Sequence, residues 1–264
     1  MIALVTGASS GIGEATARHI ARQPGWEVAL VARREERLRA LAEELGGATV
    51  VATDLTEEGA PARVREALES ERGGQLHLLV NNAGGAWRGR FGESGWDNVR
   101  RHMELNFDAV VRLTEALLPL LRASAPSSIV NVSSTAGRVA RGNSGSYSAA
   151  KFALAGWTDA LHLEEGPNGI HVGLVLPGFV ATEGFPQREL VERRATRWLV
   201  STPDKVADAI WDAGPGGKAE RYVPRPYWLA AVTRTVAPRL VRRALRGGGG
   251  TMTPATGGDA RPAD

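Results

Sequence analysis

Residues 2–13 have the sequence IALVTGASSGIG, and this stretch decides the fold that the sequence predicts. An apolar run, Ile2–Thr6, leads directly into three closely spaced glycines, Gly7, Gly11 and Gly13, and a helical pattern follows. Backbone N–H groups and a positive helix terminus can approach a pyrophosphate only where side chains do not intervene. The stretch therefore predicts a strand, a nucleotide-binding turn and a helix. The alternative is a turn that uses glycine for steric reasons alone.

The alternation of strand and helix continues along the chain. Further apolar runs predict strands, and several are apolar throughout, as strands covered on both faces should be. They are Glu27–Ala32, Thr49–Thr53, Leu76–Asn81, Ser128–Ser133, His171–Leu176 and a weaker run at Arg221–Pro224. Helical patterns between them include Glu35–Leu45, Ala62–Arg72, Asp97–Arg122 and Ser146–Glu165. We expect an α/β fold, a doubly wound parallel sheet of about seven strands with helices on both faces.

The composition of the 264 residues, 43% hydrophobic and 23% charged, fits one soluble globular domain. The chain has no cysteine, which excludes disulfides, thiolate metal sites and cysteine nucleophiles. Its five histidines show no metal-ligand spacing, so we expect no metal site. No apolar run approaches the roughly 20 residues of a membrane-spanning helix, and the N-terminus lacks the features of a secretory signal. The sequence thus predicts a cytoplasmic location.

The C-terminal part of the chain is basic. From Arg221 to Pro254 there are seven arginines and no acidic residue. Because the main body has neither a basic face with interleaved aromatics nor a known motif, we do not expect nucleic-acid binding. The sequence predicts a dinucleotide-binding and catalytic domain at residues 1–225, followed by a basic amphipathic extension at residues 226–246. Residues 247–264 are predicted to form a disordered tail. Three roles stay open for the extension: packing on the body, covering a subunit interface, or weak contact with an anionic membrane surface.

The end of the second predicted strand bears on the choice of dinucleotide. NAD sites usually place an acid there, about 20 residues after the glycines, to bind the ribose 2′-hydroxyl. This strand instead ends in Arg33 and Arg34. A guanidinium can bind a 2′-phosphate in bidentate fashion, so we expect NADP(H) to be preferred over NAD(H). The alternative is that both arginines are solvated residues opening a charged helix. Asp54, after the third strand, is a candidate for the adenine amino group or an ordinary helix cap.

Tyr147 and Lys151 are a candidate catalytic pair. They lie four residues apart in the helical pattern Ser146–Glu165, so they share a helix face. A nearby cation favours the phenolate and lowers a tyrosine pKa from about 10 toward working pH, which makes the tyrosine a usable proton donor and acceptor. Ser134 follows the strand Ser128–Ser133, so its side chain can reach the same crevice.

In chain order these features are Gly7-x-x-x-Gly11-x-Gly13, Asn81-Asn82-Ala83-Gly84, Ser134, Tyr147-x-x-x-Lys151 and Pro177-Gly178. Together they resemble the short-chain dehydrogenase/reductase family, strongly over residues 2–182 and loosely over residues 183–225. The resemblance implies a Rossmann-type fold and a homodimer or homotetramer. It also implies reversible hydride transfer between NAD(P)(H) and a carbonyl or secondary alcohol.

The resemblance further implies the role of each catalytic residue. Tyr147 would be the general acid when a carbonyl is reduced and the general base when an alcohol is oxidised. Lys151 would hold the nicotinamide ribose and lower the tyrosine pKa. Ser134 would orient the substrate oxygen, since it matches the family spacing better than Ser133 does. Asn106 resembles a fourth member that supports a proton relay to water, with a helix kink as the alternative.

The same resemblance implies a set of cofactor-binding residues, in which Thr182 would reach the nicotinamide carboxamide. The set is Gly7, Ser9, Ser10, Gly11, Ile12, Gly13, Arg33, Arg34, Asp54, Leu55, Asn82, Ala83, Gly84, Tyr147, Lys151, Pro177, Gly178, Val180 and Thr182. For Pro177-Gly178 a plain turn after a strand is the alternative.

Substrate selection in this family lies in two segments, here residues 84–96 and about 183–200. Their aromatic residues are Trp87, Phe91, Trp96, Phe185 and Trp198. They favour a small apolar substrate, and packing of the rings against the body is the alternative.

Two other functions stay open, a non-catalytic dinucleotide sensor or scaffold and an enoyl-type double-bond reductase. The intact set Ser134, Tyr147 and Lys151 argues against a sensor. The spacing from Ser134 to Tyr147 favours the carbonyl reaction.

Overall fold

Seven parallel strands form the central sheet of the structure, a computed structural model that describes residues 1–182 and 199–247. They are β1 (Ile2–Thr6), β2 (Glu27–Ala32), β3 (Thr49–Ala52), β4 (Leu78–Asn81), β5 (Ser127–Val132), β6 (Ile170–Pro177) and β9 (Glu220–Val223). Their order across the sheet is β3-β2-β1-β4-β5-β6-β9. Two short strands, β7 (Phe179–Val180) and β8 (Val200–Ser201), pair separately beside the sheet.

Helices cover both faces of this sheet. In chain order they are α1 (Gly11–Ala21), α2 (Glu35–Glu44), α3 (Ala60–Arg72), α4 (Phe91–Met103), α5 (Ala109–Ala123), α6 (Gly145–Glu165), α7 (Pro203–Ala213), α8 (Tyr227–Val236) and α9 (Pro238–Gly247). Alternate strand residues point to opposite faces. Ala3 and Val5 therefore join a core with α1, α2 and α7, whereas Ile2 and Leu4 join a core with α3, α5 and α6. The predicted doubly wound α/β sheet is confirmed.

The chain changes direction across the sheet between β1 and β4. From β1 it proceeds through β2 to β3 on one side, and from β4 it proceeds to the opposite edge. In such sheets ligands bind in the crevice outside the carboxyl ends of the two strands at the switch. The predicted glycine turn follows β1 and residues 82–84 follow β4, so both lie at this crevice.

Most predicted strands and helices agree with the structure to within one or two residues at each end, but the helix predicted over Asp97–Arg122 differs. The helical region extends back to Phe91 but is interrupted at Gly95, whose backbone is non-helical (φ 59°, ψ −159°), and a π-helical turn at Glu104–Asp108 divides it into α4 and α5. The amide of Asn106 donates to the carbonyl of His102, 3.1 Å away, inside this turn. A side chain that bonds to a helix carbonyl competes with the regular backbone pattern, and π turns inside helices often mark functional sites.

The predicted C-terminal extension forms the two short helices α8 and α9. Ala231 is the only residue of α8 that is buried. Trp228, Leu229, Val232 and Val236 are all exposed, the last by 75%. Packing against the body therefore accounts for one side of α8 and leaves an apolar side uncovered. None of the described helices is both long and apolar enough to cross a membrane. The predicted disordered tail lies outside the described residues, apart from Gly247.

Candidate active site

The side chain of Thr6 joins the ends of β1 and β4. Its hydroxyl donates to the carbonyl of Val80 at 3.1 Å and accepts from the backbone N–H groups of Asn82 and Ala83 at 2.9 and 3.0 Å. The Asn82 amide donates to the backbone carbonyl of Thr6 at 2.9 Å. These bonds satisfy buried backbone groups and fix the turn after β4 against the turn after β1. The Asn82 side chain therefore has a structural role in addition to the predicted one.

The glycine turn leaves bare backbone at the crevice. Gly7 and Gly11 have φ values of +67° and +57°, which side chains disfavour. A Cβ on Gly13 would overlap the carbonyl oxygen of Gly7, so helix α1 approaches the strand closely only because this residue is glycine. Thr182 lies over the turn, with its methyl carbon 3.2 Å from where a Cβ of Gly11 would be. This arrangement suits a phosphate group held by backbone N–H groups at the start of α1.

Arg34 and Arg33 occupy different places, although the sequence analysis grouped them. The Arg34 guanidinium donates to the hydroxyls of Ser9 and Ser10 in the glycine turn, at 3.1 and 2.7 Å. Arg33 is half exposed and lies 3.7 Å from the carboxylate of Asp54. The guanidinium that reaches the turn is therefore that of Arg34.

The structure also describes other residues that were predicted to bind the cofactor. The Asp54 carboxylate accepts hydrogen bonds from the backbone N–H and hydroxyl of Thr56, at 3.0 and 2.8 Å, so it caps a local turn. Leu55 is buried and Ile12 packs against the core. Pro177 ends β6 and Val180 belongs to β7.

Tyr147 and Ser134 meet at the carboxyl edge of the sheet. Burial raises the pKa of Tyr147, while a side-chain hydrogen bond with Ser134 and the positive charge of Arg141 oppose this rise. The Ser134 hydroxyl also accepts from the backbone N–H of Ala136 at 3.1 Å, which fixes its position after β5. The neighbouring Ser133 is buried and donates to the carbonyl of Lys151 at 3.0 Å. Ser134, not Ser133, therefore faces the tyrosine.

Lys151 lies on the same face of α6 as Tyr147. Its ammonium is 5.9 Å from the centre of the Tyr147 ring and donates to the carbonyl of Val132 at 2.9 Å. The side chain is only 3% exposed. Burial lowers the pKa of Lys151 to about 8. The cation whose charge lowers the pKa of Tyr147 is Arg141, which the sequence analysis did not identify.

Asn106 lies in the π-helical turn, where a helix kink was the alternative to a role in a proton relay. It is fully buried in the π-helical turn. Its amide donates to the carbonyl of Gly85 at 3.0 Å, and its amide oxygen accepts from the Gly85 N–H at 3.2 Å. A Cβ on Gly84 would lie 2.8 Å from the Asn106 oxygen and 3.5 Å from the Lys151 ammonium. Gly84 therefore allows these two side chains to approach each other.

His102 is a further residue of the site that sequence reasoning missed. It is fully buried, and its Nε2 accepts from the backbone N–H of Trp87 at 3.0 Å. Its Nδ1 therefore carries the proton and donates to the carbonyl of Asn98 at 2.7 Å. Because Nε2 accepts the hydrogen bond from Trp87, the ring is neutral, and burial, which lowers the pKa of His102, favours the same form. The ring contacts both Trp87 and Tyr147 edge-on. Its position one helical turn before Asn106 is the only sequence signal that could have found it.

The predicted substrate segments are partly described. Phe91 and Trp96 are 70% and 65% exposed, whereas Trp87 is half-buried beneath the guanidinium of Arg101. The Tyr227 ring covers Gly178, where a Cβ would overlap it. Phe185 and Trp198 lie outside the described residues. In the part of the chain that the structure describes, no three His, Cys, Asp or Glu side chains form a metal-binding group.

Comparison with known proteins gives consistent matches. Residues 1–191 match the family model described as short chain dehydrogenase. A putative ketoacyl reductase of Streptomyces coelicolor is 37% identical over 226 residues, which cover 82% of this chain and 84% of the relative. A 3-ketodihydrosphingosine reductase of Bacteroides thetaiotaomicron is 35% identical over 191 residues, 72% of this chain and 68% of the relative. The solved RhlG/NADP active-site complex of Pseudomonas aeruginosa has a TM-score of 0.73 and 29% identity, and covers 84% of this chain and 93% of that one.

The lowered pKa of Lys151 predicts how stability depends on pH. Between the folded pKa of about 8 and the ordinary value of 10.5, the unfolded chain binds a proton that the folded chain does not. The free energy of unfolding of the cofactor-free protein should therefore rise with pH across this window. Urea denaturation at several pH values measures it, and Lys151→Met should lose the rise. Equal pH profiles in the two proteins would contradict the assignment of this proton to Lys151.

Proposed function

Because the chain belongs to the short-chain dehydrogenase/reductase family, we propose that it transfers a hydride reversibly between NADP(H) and the carbonyl or secondary alcohol group of a small, largely apolar substrate. The family and its reductase relatives make it an oxidoreductase that acts on CH–OH or carbonyl groups. One observation carries the finer proposal. Tyr147 and Ser134 lie close enough for Ser134 to lower the pKa of Tyr147, and the buried ammonium of Lys151 lies 5.9 Å from the centre of the Tyr147 ring.

The residues present fit a nicotinamide dinucleotide. The glycine turn offers backbone N–H groups, and the site's one buried ammonium, that of Lys151, uses one of its three donors on a described group, the Val132 carbonyl. Its other donors suit the two hydroxyls of a ribose. NADP(H), when bound, supplies or accepts the hydride.

The protein's part is proton transfer and orientation. The raised pKa of Tyr147 keeps its hydroxyl protonated near neutral pH, so it enters a reduction as the acid and donates its proton to the substrate oxygen. The Ser134 hydroxyl donates a hydrogen bond to the same oxygen and stabilises the negative charge that develops there. In the oxidation of an alcohol, Tyr147 accepts the proton. Asn106 stays a proposed member of the relay that returns protons from water.

The contacts of Arg34 support a preference for NADP(H). Its guanidinium lies on Ser9 and Ser10, and no acid ends β2 to bind a ribose 2′-hydroxyl. A 2′-phosphate at this place would bond to the guanidinium in bidentate fashion and to the serine hydroxyls. Arg33 is a second cation nearby, although its pairing with Asp54 reduces its electrostatic attraction for a phosphate.

We further propose a cytoplasmic homodimer or homotetramer. The exposed apolar side of α8 is the surface that a second subunit would cover, and the surrounding arginines would favour an anionic membrane surface as a weaker contact. Sedimentation velocity and co-sedimentation with anionic vesicles distinguish these occupants. A monomeric protein that does not co-sediment with vesicles would contradict both the subunit contact and the membrane contact.

Replacement of Tyr147 by Phe tests the proposed reaction. Tyr147→Phe should lower turnover by about a thousandfold, since the general acid is lost, whereas the affinity for NADPH should stay within about twofold. NADPH consumption over a panel of ketones and aldehydes measures the first quantity, and fluorescence titration of NADPH measures the second. Full turnover in the variant would overturn the role of Tyr147. Binding of NADPH without turnover of any carbonyl would favour the sensor alternative.

Replacement of Arg34 tests the cofactor preference. Arg34→Gln should weaken NADPH binding about tenfold and leave NADH binding nearly unchanged, because only NADPH carries the 2′-phosphate. Arg39→Gln is a matched control, since Arg39 is an exposed residue of α2 that pairs with Glu35. Equal weakening of both cofactors would show that Arg34 serves only to hold the glycine turn.

A further inference from the structure

Arg141 is a cation that acts on Tyr147 through its charge but has no binding role for substrate or cofactor in the proposed reaction. It lies in the segment between β5 and α6, where its guanidinium carbon is 4.6 Å from the centre of the Phe179 ring. It also makes a long hydrogen bond, 3.4 Å, to the hydroxyl of Thr135. Its charge acts on the hydroxyls of Tyr147 and Tyr227, so it faces the reacting end of the site.

The guanidinium of Arg141 has no acidic partner within residues 1–182 and 199–247. The side chain is partly buried, and this burial lowers its pKa. The other charged side chain that acts on it is Arg88, a second cation, which repels it. Desolvating a cation costs free energy unless a counter-charge compensates. The aromatic face of Phe179 compensates in part. Among the described residues, the remaining donors of this guanidinium thus have no anion to bind.

Arg141 and its neighbours Phe179 and Tyr227 form a group of side chains that we call the active-site mouth. Hydrogen bonds fix its segments on two sides. The segment of Arg141 is tied to the loop before α4, because the Gly89 N–H donates to the carbonyl of Asn143 at 3.0 Å. On the other side, the Tyr227 hydroxyl donates to the carbonyl of Leu199 at 3.1 Å, which fixes the start of α8. Within this mouth, Arg141 lies on the Phe179 ring and acts electrostatically on both Tyr147 and Tyr227.

We propose that Arg141 forms an anion-binding subsite for the substrate, which is therefore a carbonyl compound with an apolar body and a carboxylate group. This inference rests on the proposed carbonyl reduction and adds the substrate's charge to it. The anion would bond to the guanidinium in bidentate fashion and so fix the distance from the charged group to the reacting carbonyl.

Arg141 could act on Tyr147 alone or bind an anionic group of the substrate, and these two roles predict different kinetic effects of its replacement. If Arg141 acted only by lowering the pKa of Tyr147, its loss would change kcat and its pH profile equally for charged and uncharged substrates. An anion subsite changes KM, and only for substrates that carry the anion.

The test compares a homologous series of keto carboxylates of increasing chain length with their methyl esters, under saturating NADPH. The wild-type protein should prefer one chain length of acid over its ester. Arg141→Gln should raise KM for that acid about tenfold and leave the ester within about twofold. Arg141→Lys should restore part of the preference for the acid over its ester, since lysine keeps the positive charge but not the bidentate geometry of the guanidinium. Arg88→Gln, at an exposed arginine whose charge acts on Arg141, is the matched control and should change little.

A binding measurement keeps the two proposals distinguishable. Equilibrium dialysis of an alkanoate of matching length with the NADP-loaded protein needs no turnover, and Arg141→Gln should weaken this binding about tenfold. Equal alkanoate binding, or equal effects on acids and esters, would overturn the subsite even if carbonyls are reduced. Binding that depends on Arg141 without turnover of any carbonyl would uphold the subsite and overturn the proposed reaction.

Discussion

The hydrogen bonds of Thr6 fix the crevice on which the rest of the site depends. One buried hydroxyl bonds to three backbone groups at the end of β4, and the Asn82 amide returns a bond to Thr6 itself. The switch between β1 and β4 would otherwise leave two independent turns. With these bonds, the glycine turn and residues 82–84 form one edge. Gly84, at the end of this edge, lies close to the side chains of Asn106 and Lys151. The glycine turn and the region of Lys151 are therefore joined through residues 82–84.

Burial is the largest influence on the pKa values of the ionisable side chains around Tyr147. It raises the pKa of Tyr147 and lowers those of Lys151 and His102, because each group is favoured in its neutral form. Two influences oppose the rise in the pKa of Tyr147, the hydrogen bond with Ser134 and the charge of Arg141. A neutral tyrosine next to donors is suited to donate a proton to an oxygen that gains negative charge. The same cation would hold the charged end of the substrate in the proposed subsite.

Much of this arrangement could be predicted from sequence because it depends on local patterns. Apolar runs mark the strands, three glycines mark the turn, and a spacing of four places Tyr147 and Lys151 on one face. The parts that were missed depend on contacts between distant segments. A kink at Asn106 was only an alternative in the sequence, because the bond from Asn106 to Gly85, which accompanies the π-helical turn, joins two segments that periodicity does not connect. Likewise, Arg34 rather than Arg33 reaches Ser9 only through the geometry of two neighbouring loops, and Arg141 meets Phe179 across the mouth.

In the proposed reaction, a hydride from NADPH reaches the carbonyl carbon of the substrate while Tyr147 protonates the carbonyl oxygen. The most direct test follows deuterium from NADPH labelled at C4 into the alcohol product by mass spectrometry and NMR. We expect one deuterium on the former carbonyl carbon from one of the two C4 epimers and an unlabelled alcohol from the other, since the fixed crevice presents one face of the cofactor. Deuterium on a carbon beyond the carbonyl would show double-bond reduction, and a product that is unlabelled with both epimers would show that no hydride is transferred from the cofactor. Either result would overturn the proposed carbonyl reduction.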